Sequence, residues 1–254
     1  MIPKIIHFCW MSGDAYPEKI KKCIESWKQQ LPDYEIWLWD TNRFDINQSI
    51  WVKEAFAVKR YAFCSDYIRC YALYNYGGVY LDSDVEVLKS YDNLLELPYF
   101  MGMESAGFIE AATMGAEAHH PFFKKMLDYY ENRHFLNEKG EPDLVVMPEI
   151  IMSILRDNFK LKEITSIQDF DKSPGTMCYF PYQFFSPIDT SGKRYVLRTS
   201  LDTYSIHHFA NSWVSWQGRL LVFLFGKTSK MAKLRNILVN IRNKYRKIKC
   251  SIRK

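Results

Sequence analysis

Two carboxylates stand two residues apart at Asp82-Ser83-Asp84, directly after Tyr76-Gly77-Gly78 and the short apolar run Val79-Tyr80-Leu81. On an extended chain such a pair projects to one side, where both groups can approach a single divalent ion or its bound waters. Mg²⁺ and Mn²⁺ take hard oxygen ligands and accept only a few from protein, leaving the rest to diphosphate and water. Asp169 and Asp171 repeat the spacing, and with 15 Asp in the chain about one such pattern arises by chance. Context separates the two pairs. The first ends a strand, where open α/β sheets bind ligands. The second lies beside Lys172, Ser173, Pro174 and Gly175, in a solvated loop, and is read as structural.

The elements that must position Asp82 and Asp84 are legible around them. Met1 to Phe8 reads as a first strand, with Pro3 discouraging a leading helix. Pro17 to Gln29 places Ile20, Cys23, Ile24 and Trp27 at the spacing of an amphipathic helix. Glu35 to Trp39 is rich in strand formers, so strand, helix and strand form an opening βαβ unit with parallel strands. Ala62 to Asn75 predicts a second helix with Phe63, Tyr67, Tyr71 and Tyr74 along one stripe, stopped by Gly77-Gly78. Further on, Pro121 to Glu131 and Pro148 to Arg156 predict helices, while Tyr179 to Phe185 and Tyr204 to His208 predict extended chain.

At 254 residues and 48% apolar composition the chain can bury a large core, and one α/β domain is expected. Its net charge of +5 is uneven: residues 227–254 hold 11 Lys or Arg and no acid, which leaves 23 basic against 29 acidic residues elsewhere. Within that tail Met231, Leu234, Leu238, Ile241, Tyr245 and Ile248 form one helical stripe, the pattern of a basic amphipathic helix suited to an anionic membrane interface, with a partner-docking or coiled-coil helix and a solvated tail as the competing readings. The longest apolar run, Leu220 to Phe225, is far short of the roughly 20 residues needed to span a bilayer. Neither a signal peptide nor a C-x-x-C pair is present, so a cytoplasmic protein is expected, with the tail as its contact to the inner face of a membrane on the interfacial reading. The lack of a G-x-x-x-x-G-K-[ST] run argues against a P-loop phosphotransferase. Nucleic acid is not an expected partner.

Three stretches in order, Ile2 to Trp10, Ser65-Asp66-Tyr67-Ile68-Arg69 and Tyr76 to Asp84, closely resemble the successive motifs of glycosyltransferase family 32, the DXD-containing sugar transferases. Gly115 to Tyr130, Tyr179 to Pro187 and Ser205 to Trp213 look similar too, so the resemblance covers about residues 1–216. It implies a GT-A fold, a single nucleotide-binding α/β domain with a mixed, mostly parallel sheet flanked by helices, with 217–254 as an appended tail. It further implies a retaining hexosyltransferase that uses Mn²⁺ or Mg²⁺ and a nucleotide-sugar donor. A UDP-linked galactose or glucose is the narrowest reading, with a saccharide or polyprenyl-diphosphate-linked acceptor in surface polysaccharide synthesis. A nucleotide-sugar hydrolase and a non-enzymatic carbohydrate-binding protein are the alternatives.

By that resemblance Cys9 and Trp10 line the base pocket, with Trp10 stacking on the base. Ser65, Asp66 and Arg69 clamp ribose and sugar hydroxyls, with Arg69 also near the diphosphate, and Tyr80 flanks the nucleotide. Asp82 and Asp84 hold the metal with His207 or His208, which as strand neighbours face opposite ways. Ser212 and Trp213 close over the phosphates, although Asn211 stands where the family commonly has Gly. Arg69, Asp84 and Trp213 are thus the expected catalytic residues. Glu104, Glu110 and Glu149 are further carboxylates within possible reach of the sugar.

Overall fold

The structure is a computed structural model and describes residues 1–189 and 196–209. The basic tail, Ser212, Trp213 and the 216/217 boundary lie outside the described residues. Strand β1 (Ile5–Cys9) is followed by helix α1 (Glu18–Gln30) and strand β2 (Glu35–Trp39), and β1 and β2 pair in parallel as expected. Helices α2 (Ile50–Ala57) and α3 (Tyr61–Tyr76) lead into β3 (Gly78–Leu81) and, after a turn, β4 (Val85–Val87). Then come β5 (Tyr99–Met103), β6 (Ile109–Ala116), α4 (Pro121–Tyr130) and α5 (Met147–Asn158). Short strands β7 (Lys160–Glu163), β8 (Thr176–Tyr179), β9 (Ile188–Asp189), β10 (Val196–Leu197) and β11 (Ser205–His207) complete the described chain.

The central sheet runs β2-β1-β3-β6-β5. β6 is antiparallel to both its neighbours, so four of its five strands point one way and the sheet is mixed and mostly parallel. Cores cover both faces. Val79 and Leu81 of β3 pack with Ile6, Phe8 and Trp27 on one side, while Tyr80 joins Cys9, Ile68, Leu73 and Met114 on the other. A strand buried on both faces reads as continuously apolar rather than alternating, which is why β3 shows no period of two.

Helix α3 departs from its expected stripe. Tyr67, Tyr71 and Tyr74 are only half-buried, while Cys64, Ile68, Cys70 and Leu73 are wholly enclosed, because the helix is wrapped on nearly every side. Its end is as expected: Gly77 has φ +65° and Gly78 φ +105°. A Cβ on Gly77 would stand 2.7 Å from the Ala118 nitrogen, and one on Gly78 2.7 Å from the Ile5 carbonyl oxygen, so both the turn and the close packing demand glycine. The extended chain expected over Tyr179 to Phe185 is a turn beyond Tyr179. Phe184 N–H donates to the Pro181 carbonyl at 3.0 Å and Ser186 N–H to that of Tyr182 at 3.0 Å, folding Phe180, Phe184 and Phe185 into the core.

Candidate active site

Asp82 follows the last residue of β3, and the chain then turns rather than continuing extended: Val85 N–H donates to the Asp82 carbonyl at 3.0 Å. The pair therefore converges through a tight turn, not through the alternation of a straight strand. α1 fixes the far side of this turn, since the Trp27 indole donates to the Val85 carbonyl at 2.7 Å and Val87 N–H donates to the Ser26 hydroxyl at 2.9 Å.

β11 brings the third side chain. It pairs antiparallel with β4, His207 opposite Val85, and His208 N–H extends the pairing to the Asp84 carbonyl at 3.2 Å. His207 Nε2 lies 3.5 Å from Asp84 Oδ1. One ligand atom from each of Asp82, Asp84 and His207 falls within 4.8 Å of the others, the one such group among the described residues that could hold a metal. Two carboxylates with one imidazole suit Mn²⁺ or Mg²⁺ and leave further positions for diphosphate oxygens and water. The alternation of the strand turns His208 the other way, where its Nε2 meets Glu86 Oε2 at 2.8 Å. His208 is thereby removed from the expected metal set.

Beneath Asp82 lies a buried ion network. Arg69 Nη2 stands 3.2 Å from Asp66 Oδ1 and 3.3 Å from Asp82 Oδ1, while Nη1 donates to the Ala111 carbonyl at 2.6 Å and Nε to that of Ser65 at 3.3 Å. The Arg69 side chain is 6% exposed and that of Asp66 11%, so this is no surface pair. Burial lifts the Asp66 carboxyl to about 7, with Arg69 pulling it down and Asp82 pushing it up. Tyr80 is 1% exposed; its hydroxyl donates to Asp82 Oδ1 at 3.0 Å and its ring lies under the Arg69 guanidinium. Tyr80, expected to flank the nucleotide, is thus placed in the core, where its hydroxyl orients Asp82. Cys9 is also buried, its thiol pushed up to about 12, so it stands as a neutral wall beside Arg69, Tyr80 and Ser65. Ser65 donates to the Tyr61 carbonyl at 3.1 Å.

Trp10 is half-buried at the end of β1, its indole donating to the Asp14 carbonyl at 2.7 Å and its ring edge-on to Tyr16 at 5.0 Å. It lines a cleft of about 450 Å³ with Tyr16, Asp40, Asn42 and Phe56 among its other walls. Because β1 and β3 are parallel neighbours, Trp10 and Asp82 leave the sheet at the same edge.

Among the three extra carboxylates, Glu149 is exposed in the first turn of α5 and Glu104 lies in the turn closed by Gly107 N–H. Glu110 is wholly buried, with Oε1 3.0 Å from His207 Nδ1. Its signal in the sequence is a single charged residue in the otherwise uncharged strand Ile109–Ala116. Burial alone would lower the His207 pKa, but Glu110, Asp84 and Asp82 outweigh it and raise it to about 10, while His207 holds Glu110 below the ordinary carboxylate range against its own burial. Asp171 is half-exposed and caps Ser173 N–H at 2.9 Å, as a structural aspartate should.

Residues 17–101 match the family described as the glycosyltransferase sugar-binding region containing the DXD motif. A mannosyl phosphorylinositol ceramide synthase of Saccharomyces cerevisiae is 34% identical over 134 residues, 50% of this chain and 35% of that protein. An inositol phosphoceramide mannosyltransferase of Schizosaccharomyces pombe is 32% identical over 139 residues, 52% of this chain and 39% of that one. The chain thus spans well under half the length of these curated relatives. An uncharacterized glycosyltransferase of Acanthamoeba polyphaga mimivirus is 22% identical across 88% of this chain and 92% of its own. Among solved structures, the PaToxG glycosyltransferase superposes with a TM-score of 0.49 at 21% identity, covering 61% of this chain and 68% of that one. The galactosyltransferase LgtC does so with 0.45 at 15% identity, covering 89% and 96%. Over residues 17–101, then, the chain is similar to the DXD-containing sugar-binding region of glycosyltransferases.

Proposed function

We propose that the protein is a divalent-metal-dependent, retaining hexosyltransferase that takes its sugar from a nucleotide-sugar donor. The observation that carries this reading is the convergence of Asp82, Asp84 and His207 on one point at the carboxyl edge of the sheet, inside and beyond the matched region. These three residues hold the ion, Mn²⁺ or Mg²⁺. A divalent ion there supplies charge that neutralises the diphosphate leaving group as the glycosidic bond breaks. Trp10 and the cleft beside it take the base, while Cys9 is buried behind them, beside Arg69 and Tyr80, and is not one of the cleft's walls. Asp66 and Arg69, next to Asp82, present carboxylate and guanidinium edges to sugar and ribose hydroxyls, with Ser65 on the same helix. Ser212 and Trp213 close over the phosphates in this reading.

Galactose and glucose on UDP remain candidate donors, and mannose joins them because the similar yeast proteins are named for mannosyl transfer. Those names also support a lipid-linked acceptor. A membrane-surface site for the enzyme follows from such an acceptor, with the basic tail as the contact. No helix among the described residues is long and apolar enough to cross a membrane. The test is a panel of UDP- and GDP-hexoses incubated with purified protein and Mn²⁺, with and without acceptor, and repeated in EDTA. Metal-dependent donor consumption that rises with acceptor supports transfer. An acceptor-independent rate assigns hydrolysis instead, and a rate indifferent to EDTA removes the metal.

A further inference from the structure

We propose that Glu110 is the positioning carboxylate of His207: it holds Nδ1 from behind so that Nε2 is presented to the ion site. This inference rests on the metal reading above and deepens it. Glu110 occupies the second residue of β6, the strand that runs opposite to β3, so the start of β6 lies at the edge where β3 ends; Asp82 N–H donates to the Ala112 carbonyl at 2.8 Å. Its Oε1 accepts from Ala112 N–H at 2.9 Å and stands 3.0 Å from His207 Nδ1, with no exposed surface.

The imidazole is thereby set between two carboxylates with different tasks. Nδ1 faces Glu110, inside the protein, and Nε2 faces Asp84 Oδ1 at 3.5 Å, at the metal cluster. A carboxylate only accepts, so the nitrogen beside Glu110 keeps its proton, and it is the proton on Nε2, the nitrogen that faces the cluster, that a divalent ion would displace. Histidine ligands in general depend on such a partner for ring orientation and basicity. A packing role alone gives no reason for the residue: an isolated carboxylate inside an apolar strand costs stability unless its charge is matched.

The test is direct Mn²⁺ binding, read by the loss of the free-ion EPR signal without donor or acceptor, in the wild-type chain and in Glu110→Gln and Glu110→Asp. Glu110→Gln keeps the shape and removes the charge. Glu110→Asp keeps the charge and withdraws the oxygen from Nδ1. Urea midpoints confirm that the variants compared are folded. The proposal expects both to weaken Mn²⁺ binding by about 10- to 100-fold, and in Mg²⁺-loaded protein the ¹⁵N shifts of the His207 ring should lose the single Nδ1–H tautomer. Wild-type affinity in both folded variants overturns the role of Glu110 and leaves the metal reading standing. Absence of Mn²⁺ binding in the wild type, or binding unchanged by Asp84→Ala, overturns the metal reading and this proposal with it.

Discussion

The Arg69 guanidinium meets the Asp82 carboxylate at 3.3 Å, tying the middle of α3 to the end of β3. The same nitrogen holds Asp66, so one cation serves a buried acid and a partly exposed one. Removing one partner of such a group strands the others uncompensated. Arg69→Met should cost about 3–5 kcal/mol in urea unfolding and abolish transfer. Arg69→Lys keeps the charge but not the planar fork, and should fall between the two in both measurements.

Asp84→Ala should abolish transfer and metal-dependent nucleotide binding, since it takes one of two carboxylates from the ion site. Asp171→Ala, at the other pair of the same spacing, should leave both unchanged. Steady-state rates with titrated Mn²⁺ distinguish the two, and equal rates in Asp84→Ala and wild type would contradict the metal assignment.

Trp10→Ala should weaken nucleotide binding by about 1–3 kcal/mol, the range for a base stacked on an aromatic ring. Trp10→Phe should recover part, because it restores a ring but not the indole donor to Asp14. Calorimetry with free UDP and GDP reads the effect; normal binding by a folded Ala variant would place the base elsewhere.

Stability should fall in acid through His7. This residue has no exposed surface, and its two nitrogens are committed to opposite roles: Nε2 faces the Gly77 carbonyl at 2.7 Å, and Nδ1 accepts from the Trp39 indole at 3.1 Å. A second proton would have to sit on Nδ1, against a donor. Burial lowers the pKa to about 4, helped by Arg43 and opposed by the Gly77 bond. The unfolded chain takes up its proton near 6.5, so between 6.5 and about 4 the unfolded state binds more protons and stability declines as pH falls. The full difference is about 3 kcal/mol. His7→Gln, which can still donate to Gly77, should flatten the wild-type decline in urea midpoints over that window; an unchanged slope would acquit His7.

The sequence of the tail makes a prediction independent of the fold. Intact protein should float with anionic liposomes and be released by salt, each basic group near the surface contributing about 1 kcal/mol at best. A chain ending at Gly226 should stay with the soluble fraction yet still consume donor. Equal flotation of the two forms would contradict membrane contact through this segment.

Much of the scaffold was readable from periodicity and turn chemistry: β1, α1, β2 and the glycine stop of α3 need only local signals. The acidic pair was readable as well, though for an incomplete reason, since its convergence depends on a turn held by Trp27 and Ser26. What local pattern could not give was pairing across the chain. Nothing near residues 205–208 reveals that His207, not His208, lies opposite Val85 on the site's side; that follows from the register of β11 on β4. Tyr80 is a related case, because only the covering of both faces of its strand shows that this tyrosine beside an acidic motif is buried. Glu110 showed itself as a charge out of place, but its partner stands nearly a hundred residues later.

That separation has a consequence for how the protein comes into being. The acids Asp82 and Asp84 emerge from the ribosome early, within the stretch that matches the sugar-binding region, whereas the imidazole arrives only when residues 205–207 return to β4. Pairing over so long a loop forms late. A nascent chain therefore exposes the two carboxylates without their imidazole, and the three side chains come together only on completion of the strand pair. On the proposed metal reading, an ion bound across both segments would favour the closed pairing over the open one by mass action, which would make the supply of the cation a condition of the last folding step.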